Sequence, residues 1–224
     1  MNFEVEAQKI VDELLLKEKR GYDYSRFFDP VYKKNHIFLN VPVPKIRELA
    51  FQYVDIDYDF ITYLVGNVNH SLRLFGIFVL IKKYESGDKS SKRVCVNFCV
   101  DKAMIFSCWD LIDACSHKIL GHYSRVELGG SLEHVDFLIR SDDVWAIRFG
   151  IVSLLDFARN NFQLKAALRS LKPVLSHEHI MVSRPVGWII REIGKKDIKA
   201  YNRFLIEHKD SLSLMATRYA RFKS

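Results

Sequence analysis

Val144-Trp145-Ala146-Ile147-Arg148 returns as Ile180-Met181-Val182-Ser183-Arg184, and Met215-Ala216-Thr217-Arg218 continues the series, so that the arginines at 148, 184 and 218 stand 36 and then 34 residues apart. Ser71-Leu72-Arg73 precedes Arg148 by 75 residues, about two periods, which places a missing unit near Trp109. Between these points the apolar residues recur at helical spacing. Leu72, Phe75, Ile77, Phe78, Val79, Leu80 and Ile81 predict a helix that is apolar nearly all round, and Ile151, Val152, Leu154, Leu155 and Phe157 predict another. Gly87-Asp88, Gly129-Gly130 and Leu171-Lys172-Pro173 interrupt the pattern at intervals suited to helices of ordinary length.

The expected fold is therefore all-α. A period in the thirties with two helices per unit indicates a helical-repeat solenoid of the HEAT or armadillo kind. One pair of helices cannot bury its own apolar stripe, so stacking has to build one core and leave a concave face. At 224 residues the expectation is a single HEAT-like repeat domain over 1–224, with residues 1–24 as a further N-terminal helix. Apolar residues make up 49% and charged residues 27%, a balance that excludes disorder over most of the length. The run Phe75–Ile81 is too short to span a bilayer, and the first six residues lack the order of a signal peptide. Cys95, Cys99, Cys108 and Cys115 include no C-x-x-C pair and read as buried reduced thiols. Together these predict a cytoplasmic monomer without membrane contact.

The net charge of +7 is unevenly placed. Met181–Ser224 carries ten basic residues against four acids, nearly the whole excess in the last fifth of the chain. A concave face made basic by Arg184, Arg191, Lys195 and Lys196 suits a polyanion, although a solvated helix face has the same composition.

Three segments bear on chemistry. In Ser107-Cys108-Trp109-Asp110-Leu111-Ile112-Asp113, Ser107 and Asp110 fit a helix cap, whereas Asp113 falls one turn after Trp109 on the same face. An indole and a carboxylate side by side suit a cationic, partly apolar guest; a core-edge tryptophan and a solvated aspartate share the spacing. Arg148 suits either a phosphate or an ion pair with Asp142, Asp143 or Asp113. Trp188 reads as a core tryptophan, with Arg191 and Glu192 beside it as a surface pair. Neither a Walker loop, a dinucleotide turn nor a zincin motif occurs, and neither His177-Glu178-His179 nor His117 with His122 has metal-site spacing. No metal or cofactor is expected.

Together these segments resemble a family. Tyr32-Lys33-Lys34-Asn35-His36-Ile37-Phe38-Leu39 with Val41-Pro42-Val43-Pro44-Lys45-Ile46-Arg47, Trp109-Asp110-Leu111-Ile112-Asp113, Trp145-Ala146-Ile147-Arg148 and Gly187-Trp188-Ile189-Ile190-Arg191-Glu192 are similar, in order, to the signatures of the AlkD-like DNA alkylation-repair proteins. These are DNA glycosylases built from HEAT-like repeats. Asn40 stands where the family often has glycine. The resemblance implies Asp113 as the catalytic carboxylate and Trp109 and Trp188 as aromatic walls against the sugar. It also implies Tyr32 as a third aromatic and Arg148 as a phosphate contact. The implied activity is monofunctional: hydrolytic excision of positively charged N3- or N7-alkylated purines from double-stranded DNA, in base excision repair. The competing expectations are a non-catalytic HEAT-like protein that binds bent or branched DNA, and a scaffold for other proteins.

Overall fold

The computed structural model describes residues 2–222, and within them every regular element is helical. Lys223, one of the C-terminal basic residues, lies outside the described residues. The chain divides into two compact units, one ending at Ser91 and the other starting at Lys92.

In the first unit, α1 (Phe3–Leu15), α2 (Pro30–Asn35), α3 (Val43–Ala50) and α4 (Tyr58–Val65) lead to α5 (His70–Ser86). Every residue of α5 from His70 to Ile81 is buried, as the all-round apolar pattern requires. It packs against α3 and α4. The N-terminal helix expected within residues 1–24 is α1, capped by Asn2, whose side chain accepts from the Glu4 and Val5 amides.

The boundary between the units falls in the first turn of α6 (Lys89–Asp101). Then follow α7 (Trp109–Ser116), α8 (His122–Val126), α9 (Glu133–Ile139), α10 (Val144–Arg159), α11 (Leu164–Ser170), α12 (Ile180–Gly194), α13 (Ile198–Glu207) and α14 (Leu214–Ala220). The repeat is present in the backbone: α7, α10, α12 and α14 begin at 109, 144, 180 and 214, and each follows a partner helix. The unit missing from the sequence alignment is the one that starts at Trp109. Helix α10 is the centre of this unit, buried from Ala146 to Leu155 and packed on α7, α9 and α12. Burial of each such large apolar side chain contributes about 1.5–3 kcal/mol.

The helix starts are set by short polar side chains. Asp143 accepts from the Trp145 and Ala146 amides, Asp197 from Ala200 and Ser213 from Ala216. Two local expectations change. Cys108, not Ser107, holds the cap position of α7, and Asp110 is buried in the first turn instead of completing a solvent-facing cap. His177 and His179 act on the backbone: His179 caps α12 by accepting from Met181, and the His177 ring accepts from the His179 amide. The four cysteines are buried thiols outside any disulfide.

Candidate active site

Burial along α7 selects one stripe. Asp110, Leu111, Ile112, Cys115 and Ser116 are buried, while Trp109 and Asp113, one turn apart, are only half-buried. The indole and the carboxylate thus edge the same helix face, as their spacing predicts. The helical path then loosens into a π turn, His117–Gly121, before α8.

Of the acids open to Arg148, Asp113 is its partner. The guanidinium meets the carboxylate along its Nε–Nη2 edge: Nε donates to Oδ1 at 3.1 Å, and Nη2 donates to Oδ1 at 2.9 Å and Oδ2 at 2.8 Å. The Arg148 side chain is 7% exposed and that of Asp113 22%, so the arginine is the floor and the carboxylate the part that faces outward. Oδ1 accepts two hydrogens and Oδ2 one, which leaves an acceptor site on Oδ2. Burial pushes the Asp113 carboxyl above its usual range, and the charge and hydrogen bonds of Arg148 oppose that rise. One turn on, burial lowers the His117 imidazole to about 4, assisted by Arg159 and Lys118, so it is neutral near pH 7.

The remaining Arg148 hydrogen bond is with α12. Nη1 donates to the Met181 carbonyl at 3.0 Å. In an uninterrupted helix that carbonyl would accept from the amide four residues on, but residue 185 is proline and has no N–H to give. Pro185 thereby turns a helical carbonyl toward the arginine, and Arg148 joins α7, α10 and α12 through one side chain.

Beyond Met181, α12 is buried except at Glu192 and along a stripe at Arg184, Trp188 and Arg191, spaced by four and three residues. Trp188 is half-buried on this stripe, not enclosed in the core. Arg184 and Arg191 join Arg218, Arg221, Met215 and Tyr219 around a cavity of about 370 Å³. Lys195 is held by Glu192 at 2.6 Å, with Arg191 at 3.9 Å from the same oxygen, and Lys196 is exposed just past the helix end.

Tyr32 belongs to the first unit. Its ring stacks on His36 at 3.8 Å and on Phe28 at 5.2 Å. Its hydroxyl accepts from Arg73 Nη1 at 2.7 Å and lies 2.9 Å from His70 Nδ1. The sequence reading missed Met181 and Pro185. The signal for the ion pair was in the repeat itself: Asp113 and Arg148 are both fifth residues of their helices, so they are one period apart.

A family model described as DNA alkylation repair enzyme matches residues 13–223. Among curated proteins none matches the chain. Several solved structures resemble it in fold, among them two of bacterial proteins. A protein described as a predicted DNA alkylation repair enzyme from Enterococcus faecalis is 15% identical with a TM-score of 0.68, over 90% of this chain and 94% of that one. AlkD2 from Streptococcus mutans is 14% identical with a TM-score of 0.59, over 97% and 95%.

Proposed function

The chain belongs to the DNA alkylation repair enzyme family, and from that premise we propose that it is a DNA glycosylase that hydrolyses the N-glycosidic bond of N3- or N7-alkylated purines in double-stranded DNA. The observation that carries this reading is the Asp113 carboxylate, held from behind by Arg148 with one acceptor site on Oδ2 still open.

The chemistry needs little else. A purine alkylated at N3 or N7 is already cationic and departs neutral, so no general acid has to protonate it. Positive charge then develops on the deoxyribose. Asp113 stabilises that charge electrostatically, and its open acceptor site orients the attacking water. Trp109 and Trp188 present electron-rich faces to the sugar. Water, not a lysine, is the nucleophile, so the strand is left uncut and the protein acts as a monomer.

Arg148 has a different part from the phosphate-binding one that the resemblance implies. Nearly all of its guanidinium is engaged by Asp113 and the Met181 carbonyl, which makes it a positioning residue for the carboxylate. The pair opposes the rise that burial imposes on the Asp113 carboxyl.

Single-turnover release of N7-methylguanine from methylated duplex tests the reading. Asp113→Asn is expected to slow release by about 10²–10³ while duplex affinity is kept. Undiminished release would overturn it. Duplex binding with no release by the unaltered protein would favour the non-catalytic DNA-binding alternative, in which the same ion pair merely joins helices.

A further inference from the structure

The fifth residues of α7, α10, α12 and α14 are Asp113, Arg148, Arg184 and Arg218. The first two neutralise each other. The last two do not: among the described residues neither Arg184 nor Arg218 has a carboxylate within ion-pair distance. Both open onto the cavity between α12 and α14 together with Arg191 and Arg221. Among the described residues no acid lines that cavity. Glu192 lies beside it, 3.9 Å from Arg191 and held more closely by Lys195, and Glu178 and Asp210 line the adjoining cavity that shares Met215 and Arg218 with it.

The helices hold this concentration of charge in place. α12 and α14 pack directly, and a Cβ at Gly187 would run into the Ala216 carbonyl oxygen, so only glycine allows the approach. The Arg184 guanidinium lies 5.4 Å from the centre of the Tyr219 ring, which fixes the direction of its fork. Guanidinium forks match phosphate oxygens two at a time, and like charges gathered without a counterion are repulsive until an anion enters. The volume of about 370 Å³ equals roughly a dozen waters at about 30 Å³ each, room for a phosphate with its sugar and more than a bare ion needs.

We propose that the Arg184–Arg191–Arg218–Arg221 cavity binds the sugar–phosphate backbone of the duplex beside the Asp113 site. This rests on the reading of the chain as a DNA-acting enzyme and adds Arg218 and Arg221 to its surface. Packed helices lie about 8–10 Å apart, and one strand advances about 3.4 Å per nucleotide, so each helix step from the carboxylate corresponds to roughly two to three nucleotides.

The test is binding of an undamaged duplex by fluorescence anisotropy across a salt series, a readout independent of base release. Replacing both arginines, Arg218→Gln with Arg221→Gln, is expected to flatten the slope of log affinity against log salt by about 0.9 for each phosphate no longer neutralised, about 1.8 in all. The pair Arg218→Lys with Arg221→Lys should keep most of the slope. Both arginines are exposed, so the melting temperature should hold. An unchanged slope in the Gln variant overturns this proposal alone, because the unaltered protein would still bind. A flat slope in the unaltered protein overturns the DNA-acting reading itself. Inorganic phosphate is added at constant ionic strength as the second arm. Displacement of the duplex at millimolar phosphate, abolished in the Gln variant, would assign the cavity to free phosphate and overturn the backbone assignment.

Discussion

Arg73 and Arg148 stand at matching points of the repeat, near the start of α5 and of α10, and both are buried. Their surroundings differ in kind. Arg148 meets a carboxylate along one edge of its guanidinium and, with its remaining nitrogen, a carbonyl made available by proline. Arg73 donates to the Val65 carbonyl at 2.7 Å and to the Tyr32 hydroxyl, and lies 3.3 Å from His36 Nε2. One position in a repeat can thus anchor a carboxylate ion pair in one unit and an aromatic–imidazole network in the other. The helix supplies the address and the neighbouring helix decides the chemistry.

The comparison breaks most visibly on stability. Arg148→Met leaves a largely buried carboxylate without its partner and is expected to cost about 3 kcal/mol in urea denaturation. Arg73→Met removes a hydrogen bond to Tyr32, which retains His70, and one to the Val65 carbonyl, and should cost about 1–2 kcal/mol. Equal costs would mean that the carboxylate makes no difference.

Acid sharpens it next. The His117 pKa is lowered from 6.5 to about 4, so the unfolded chain takes up that proton first. The stability this group contributes is present above 6.5 and is lost as pH falls toward 4. His117→Gln should remove about 2 kcal/mol of the decline in stability between about pH 7 and about pH 5. His36 is also lowered, chiefly by burial and further by Arg73 and His70, while its bond to the Tyr32 carbonyl opposes the shift. His36→Gln should therefore flatten the decline less, and a larger effect at His36 would reverse the order.

The smallest effect is a displaced pH profile. On the proposed mechanism release requires ionised Asp113, whose pKa is raised because burial outweighs Arg148, so the acid limb should lie above the ordinary aspartate range. Arg148→Met removes the opposing influence and should move the limb to higher pH in single-turnover assays. A limb that stays put would show that Asp113 does not control the step.

The repeat was legible because burial imposes its period on apolar residues, and the starts of α7, α10, α12 and α14 fall where the period placed them. Trp109 and Asp113 were legible as a pair because a helix brings residues four apart onto one face. What depends on another helix was not. Whether Arg148 turned to Asp113, Asp142 or Asp143 is decided by packing between α7 and α10, and the role of Tyr32 by hydrogen bonds with α5 some forty residues away. Ser107 misled because the cap pattern tolerates a shift of one residue, and the π turn at His117–Gly121 leaves no mark in apolar spacing. Trp188 passed for a core residue because hydrophobicity does not report which side of α12 is covered.

Pro185 has a consequence beyond its own helix. By forgoing one rung of the backbone ladder it exports an acceptor to a side chain thirty-seven positions earlier, and through that side chain steadies an acid on a third helix. The interruption of one element is the hinge-pin of three. Any residue with an amide hydrogen at 185 would reclaim the Met181 carbonyl for the helix, detuning the acid without touching it.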